Sequence, residues 1–172
     1  KNQTKNIKPF FTATYKEADK KQVGLKDFEN GIKLLFVGTL SAGKQPLYAI
    51  KLIEMLVQKG YRIRLSLYGN GNEKENLENY IKKNNLSDFI FLKGNQTQET
   101  VKNAYIDNHF VVLPSKSEGW PKAIAEAMFW GCLPIATNVS CVSNMVDYGE
   151  RGVLLEMNLE KDREQIEILL NN

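Results

Sequence analysis

Two glutamates, Glu118 and Glu126, stand within the segment "PSKSEGWPKAIAEAMFWGCLPIATN" (114–138). Glu126 is the one charged residue between positions 123 and 131, where all the others are apolar or glycine. A helix that is apolar nearly all round is buried, and a buried carboxylate is costly unless it is paired or hydrogen-bonded. Two partners could compensate: Lys122, one turn earlier, or the two hydroxyls of a ligand diol such as a ribose. The residues alone leave both open.

Glu118 precedes a helix that we expect to begin at Pro121 and end at Gly131. Its small and apolar stripe would pack closely on a sheet; the stripe comprises Ala123, Ile124, Ala127 and Met128. At the start of a helix, a carboxylate could bind sugar hydroxyls or stabilise positive charge, while the free amides hold a phosphate. The alternative is that Glu118 only complements the helix dipole.

The segment "FVGTLSAGKQP" (36–46) resembles a nucleotide-binding phosphate loop, with Gly38, Gly43 and Lys44 at matching positions. A phosphate loop also needs Ser or Thr after the lysine to hold magnesium, and this chain has Gln45 there. The sequence therefore argues against nucleotide hydrolysis. What remains is a turn into a helix N-terminus with a cation beside it, which suits a phosphate, or else an ordinary solvated lysine.

Six short apolar runs alternate with amphipathic stretches of helical spacing from residue 32 onward. This alternation predicts an α/β fold: a three-layer, Rossmann-like domain with a six-stranded parallel sheet of order 3-2-1-4-5-6 and helices on both faces. Ligands bind such sheets at the carboxyl ends of the strands, which selects the loops after Gly38, Gly69, Gly94 and Pro114. The runs cover residues 32–38, 63–69, 89–94, 109–115, 133–138 and 152–156.

The composition is that of an ordinary globular domain: 172 residues, 42 % hydrophobic and 25 % charged, with a net charge of +3. The charge is too small and dispersed to predict a nucleic-acid partner, and no apolar run has the roughly 20 residues of a membrane span. Cys132 and Cys141 lack a metal-binding spacing, so we expect two reduced thiols in a cytoplasmic protein. We expect a linker or N-terminal extension over 1–31, holding one helix, and a domain over 32–172 that is truncated at both ends.

The spacing Glu118-x7-Glu126, set in "PSKSEGWPKAIAEAMFWGCLPIAT", resembles the signature of family 4 glycosyltransferases, the "group 1" retaining enzymes of the GT-B fold. Four segments keep the order of that family: "LLFVGTL", "LYGNGNEKENLENYIKKNNLSDFIFLKG", "VVLPSKSEG" and "DYGERGVLL". The resemblance covers about 32–157. It implies transfer of a hexose from a UDP- or GDP-sugar to an acceptor, with retention and without a metal, in the synthesis of surface polysaccharide or glycoconjugates. It also implies that this chain is the C-terminal, donor-binding half, inactive without the N-terminal acceptor domain of the same full-length protein. Any peripheral contact with the inner face of the membrane would come from that missing half.

By resemblance, Glu118 is the catalytic residue and binds the transferred sugar, Glu126 binds the ribose and Lys44 the diphosphate. Thr39 stands where the family often has a second cation, an arginine, and Asn144 where many members have glutamate. Two alternatives remain: a non-catalytic nucleotide-sugar-binding relative, or another GT-B enzyme such as an inverting transferase or an epimerase. The implied donor-binding residues are Gly38, Thr39, Lys44, Gly94, Asn95, Gln96, Glu118, Gly119, Trp120, Ala123, Ile124 and Glu126, with Gly69 and Gly71 shaping the neighbouring loop.

Overall fold

The computed structural model describes residues 15–19, 24 and 26–171. In this part of the chain, six strands form one parallel sheet in the order β3-β2-β1-β4-β5-β6, which confirms the predicted fold and strand order. The strands are β1 (Ile32–Val37), β2 (Ile63–Tyr68), β3 (Ile90–Gly94), β4 (Phe110–Leu113), β5 (Leu133–Thr137) and β6 (Val153–Leu155). The helices are α1 (Pro46–Gln58), α2 (Lys74–Lys83), α3 (Gln98–Asp107), α4 (Lys122–Phe129), α5 (Val142–Met145) and α6 (Leu159–Asn171), with 3-10 turns at Glu17–Asp19 and Asp147–Gly149.

The helices cover both faces of the sheet because each has an apolar stripe that must be buried. On α1, the stripe contains Ile50, Ile53 and Leu56, which are fully buried as their helical spacing predicts. Helices α1 and α6 pack together on one face, whereas α3 and α4 pack together on the other. Strand β4 lies at the centre of the sheet, and all four of its residues are buried.

Helix α4 is shorter than the sequence predicts, and the expected boundaries were wrong at both ends. It begins at Lys122, because Pro121 has the non-helical ψ of 74° and serves as the N-cap. The Pro121 carbonyl accepts hydrogen bonds from the amides of Ile124 and Ala125, at 3.0 and 3.2 Å. At the other end, α4 stops at Phe129, and Gly131 takes a left-handed φ of 69°, the usual role of glycine after a helix.

The described residues just before β1 lie against the domain. The ammonium of Lys26 donates to the carbonyls of Tyr105, Asn108 and Gly131, at 3.1, 2.6 and 3.0 Å. These carbonyls lie at or just beyond the C-terminal ends of α3 and α4, where a cation is favourable. Apart from residues 15–19, 24 and 26–31, the predicted extension over 1–31 lies outside the described residues, so the helix expected in this extension stays a prediction.

Candidate functional site

The crevice of the sheet opens where the strand order reverses, between β1 and β4. The chain runs from β1 towards β2 and from β4 towards β5, so the loops that follow β1 and β4 diverge and leave space at the carboxyl edge. Lys44 lies in the first of these loops and Glu118 in the second. The structure brings them together: Lys44 Nζ is 2.6 Å from Glu118 Oε1.

Two further contacts hold these loops against each other. The Gln45 side-chain amide donates to the Pro114 carbonyl at 2.9 Å, and the Lys116 backbone amide donates to the Gly43 carbonyl at 2.9 Å. Gln45 has a left-handed φ of 50° immediately before Pro46 starts α1. This turn, together with the two hydrogen bonds, places Lys44 opposite Glu118.

The Glu118 side chain is only 6 % exposed, whereas that of Lys44 is 30 % exposed. A carboxylate buried to this degree requires a charged or hydrogen-bonding partner, and Lys44 supplies it. Because the ammonium still reaches solvent, an incoming anion can approach Lys44 without first displacing other protein groups. An anionic ligand can therefore contact the Lys44 ammonium while Glu118 remains paired with it.

A cavity of about 300 Å³ lies beside this crevice, at the carboxyl ends of β1, β2 and β3. Four of the residues expected to bind the donor line this cavity: Gly38, Thr39, Asn95 and Gln96. Lys44, Glu118 and Glu126 are not among its lining residues. Gly94, the last residue of β3, accepts a hydrogen bond at its carbonyl from the Gly69 amide at 2.9 Å. The lining comprises Val37, Gly38, Thr39, Tyr68, Gly69, Asn70, Asn95, Gln96 and Val101.

Glycine is required where the loops after β1 and β2 meet. Gly69 has a φ of 136°, and a Cβ there would lie 1.9 Å from the Gly38 carbonyl oxygen. A Cβ on Gly71 would lie 2.3 Å from the carbonyl oxygen of Leu40. Only residues without a side chain allow this backbone contact, which shapes one wall of the cavity.

Glu126 lies on α4, and its side chain is 15 % exposed. Lys122 Nζ is 3.7 Å from Glu126 Oε1, so the pairing that the sequence allowed is present, but it is loose and Lys122 is largely exposed. Tyr105 of α3 is fully buried, which raises the pKa of its hydroxyl, and the negative charge of Glu126 raises that pKa further.

The remaining predicted residues surround the start of α4. The Gly119 carbonyl accepts a hydrogen bond from the Ser140 hydroxyl at 2.8 Å, and Trp120 is 52 % exposed. Ala123 is partly buried. Ile124 is fully buried, and its amide donates to the Pro121 carbonyl within this structure. Its side chain therefore packs in the core, and a phosphate could meet Ile124 only through a rearranged backbone amide.

The sequence analysis missed Lys116. Its backbone hydrogen bond to Gly43 places it beside the loop that carries Lys44, two residues before Glu118, and it is exposed. The basic residue in "PSKSEG" was the available signal, but its relevance depends on the contact with a loop more than 70 positions earlier.

The family model for "Glycosyl transferases group 1" matches residues 16–172. The chain belongs to this family. It is 33 % identical over 142 residues to an uncharacterized glycosyltransferase of Haemophilus influenzae, covering 81 % of this chain and 39 % of that protein. It is 34 % identical over 123 residues to Protein CapJ of Staphylococcus aureus, covering 70 % and 31 %. The sequence resemblance to group 1 glycosyltransferases is thus confirmed.

Solved structures of glycosyltransferases share the fold of this group 1 chain. TarM of S. aureus, crystallised with UDP among its ligands, superposes with a TM-score of 0.76 at 23 % identity, covering 97 % of this chain and 34 % of TarM. The pneumococcal O-GlcNAc transferase GtfA, in complex with UDP and GlcNAc, gives a TM-score of 0.68 at 21 % identity, covering 82 % and 29 %. The glycosyltransferase chain described here spans only about a third of the length of these proteins.

Within ranges 15–19 and 26–171, no three His, Cys, Asp or Glu side chains lie close enough together to hold a metal ion. No helix in the same ranges combines the length and the apolar character that crossing a membrane requires.

Proposed function

We propose that this chain is the donor-binding half of a retaining glycosyltransferase that transfers a hexose from a UDP- or GDP-sugar in the synthesis of surface polysaccharide or glycoconjugates. The observation that carries the proposal is the Lys44–Glu118 pair, at 2.6 Å, in the crevice of a group 1 glycosyltransferase fold. Two structural neighbours were crystallised with UDP, and a relative that is 29 % identical is a poly(ribitol-phosphate) α-N-acetylglucosaminyltransferase of S. aureus.

In this proposal the base occupies the cavity beside Asn95 and Gln96, and Glu126 binds the ribose. The diphosphate reaches Lys44 and the N-terminal end of α4, where the helix dipole favours an anion. When the bond between the sugar and the β-phosphate breaks, negative charge accumulates on the departing phosphate oxygens. The Lys44 ammonium stabilises this charge in the half-buried crevice, where electrostatic interactions are stronger than in water. Glu118 holds the transferred sugar through its hydroxyls.

The acceptor would bind to an N-terminal domain of a longer, cytoplasmic protein, opposite the carboxyl edge of the sheet. Without that domain, nothing holds an acceptor hydroxyl against the sugar, and proximity supplies much of the rate of such a transfer. We therefore expect the 172-residue chain to bind donor without transferring sugar. The charge of the diphosphate would be met by Lys44 and backbone amides rather than by a metal ion.

Titration calorimetry with UDP, GDP and their sugars tests the proposal. We expect dissociation constants on the order of micromolar to millimolar for one of the two nucleotides, because half of the cleft is missing. Lys44→Gln should weaken this binding about ten-fold, as expected for the loss of a charge-assisted hydrogen bond. Lys74→Gln, which removes a cation from the exposed Lys74–Glu78 pair, is the matched control and should bind like the parent.

Failure of the parent to bind either nucleotide, or equal binding by Lys44→Gln and the parent, would contradict the proposal. Thr39 favours a second candidate, a non-catalytic nucleotide-sugar-binding relative, because threonine stands where an arginine is expected beside the diphosphate. A transfer assay on a longer protein that contains both domains separates the two candidates.

A further inference from the structure

Glu118 lies in the irregular segment 114–121, which connects β4 to α4. Its neighbour Gly119 is exposed, and no atom of the described residues beyond the two adjacent ones would lie within 4 Å of a Cβ on this glycine. Packing therefore does not restrict Gly119, and glycine has the widest backbone freedom of all residues. The position of Glu118 against Lys44 thus depends in part on what holds the Gly119 backbone.

Two side-chain hydrogen bonds from β5 and the loop after it hold this segment. The hydroxyl of Thr137, the buried last residue of β5, donates to the Ser115 carbonyl at 2.5 Å. The Ser140 hydroxyl donates to the Gly119 carbonyl at 2.8 Å. Because one contact lies before Glu118 and the other directly after it, the two together fix the backbone on both sides of the carboxylate.

Ser140 makes its contact from a strained backbone. Its φ is 53°, in the left-handed region that residues with a side chain seldom adopt. Glycine would adopt this conformation without strain, but it has no hydroxyl to donate to Gly119. Strained backbone conformations of this kind cluster at functional sites. The serine therefore provides a contact that the residue best suited to the backbone would lack.

We propose that Ser140 is a positioning residue for Glu118: its hydroxyl fixes the peptide group that follows Gly119 and so holds the Glu118 carboxylate where it meets the hydroxyls of the transferred sugar. The inference rests on the proposed function, in which Glu118 binds this sugar. The contact with Lys44, at 2.6 Å, restrains the tip of the Glu118 side chain, whereas Ser140 restrains the backbone that carries it. Precise orientation of a binding carboxylate requires such support from residues around it.

Ser140→Ala and Ser140→Gly test the inference, because both remove the hydroxyl and only glycine also relieves the backbone strain. We would titrate both variants with the nucleoside diphosphate that the parent binds best and with the corresponding nucleotide sugar. We expect the nucleoside diphosphate to bind within about two-fold of the parent and the nucleotide sugar to bind about three- to ten-fold more weakly, because the sugar is the part of the donor that Glu118 contacts. Ser140→Gly should melt at a higher temperature than Ser140→Ala and still lose the same affinity for the nucleotide sugar, which a purely structural role of the serine would not produce.

Asn85→Gly is the matched control for the backbone change, since Asn85 has a left-handed φ of 56° just after α2. It should leave both affinities unchanged. A double-mutant cycle with Glu118→Ala separates positioning of the carboxylate from a general effect on the site. Once no carboxylate remains to be positioned, Ser140→Ala should weaken nucleotide-sugar binding no further.

An equal loss of nucleotide-sugar affinity in both backgrounds, or binding of the nucleotide sugar by Ser140→Ala and Ser140→Gly as tight as by the parent, would overturn the inference and leave the proposed function standing. A parent that binds no nucleoside diphosphate would refute both.

Discussion

Replacing Glu118 with glutamine removes the carboxylate that pairs with Lys44 and keeps the shape of the side chain. We expect the variant to bind a nucleoside diphosphate more tightly than the parent does. In the parent, Lys44 contacts Glu118 at 2.6 Å, so a phosphate that binds this ammonium must share it with a nearly buried carboxylate. Glu118→Gln frees the ammonium and removes a negative charge next to the diphosphate.

The size of the effect follows from the geometry. Two anions that contact the same ammonium lie about 4–5 Å apart, and the partial exposure of Lys44 places their repulsion between the water and protein limits, at about 1–2 kcal/mol. This corresponds to roughly five- to thirty-fold tighter binding of the nucleoside diphosphate. The nucleotide sugar should gain less, because Glu118→Gln also loses hydrogen bonds from sugar hydroxyls to a charged acceptor, which contribute about 1.5–3 kcal/mol.

Calorimetry with the nucleoside diphosphate and with the nucleotide sugar, at low and at high salt, measures the effect. The gain for the nucleoside diphosphate should shrink at high salt, since salt screens the repulsion. Glu78→Gln, which removes the carboxylate of the exposed Lys74–Glu78 pair, is the control and should change neither affinity. If Glu118→Gln melts cooperatively but binds the nucleoside diphosphate no more tightly than the parent, then Lys44 does not hold the diphosphate and the reasoning is refuted.

Three further predictions follow from the structure. Lys116→Gln should weaken nucleoside diphosphate binding about three-fold and lower the salt dependence of that binding. Calorimetric titrations at two salt concentrations that give the variant the same affinities as the parent would contradict this prediction. Gly69→Ala should lower the free energy of unfolding by more than about 2 kcal/mol, because its Cβ meets the Gly38 carbonyl, whereas Gly43→Ala, whose Cβ meets nothing within 4 Å, should melt like the parent. Burial lowers the pKa of His109, so below a pH of about 6.5 the unfolded state binds more protons than the folded state. The free energy of unfolding should therefore fall as the pH drops below this value. Urea titrations should show the loss, and His109→Gln should reduce it.

The regular elements could be predicted because their causes are local. Ile50, Ile53 and Leu56 repeat at helical spacing, and short apolar runs, most of which end at glycine, proline or serine, mark the strands. Parallel strands joined by helices admit few topologies, which made the strand order predictable as well. The ends of α4 were not predictable to the residue, because they depend on the ψ angle of Pro121 and on competition for the last carbonyls of the helix.

The sequence by itself determined the fold class, the family and the list of loops that form the site, since all three depend on residue types and their order along the chain. Only the tertiary structure decided which residues meet: Lys44 with Glu118, and Lys116 with Gly43. Each of these contacts joins residues more than 70 positions apart. Spacing along the chain carries no information about such contacts, because they arise only when the strand order brings separate loops and helices to the same edge of the sheet.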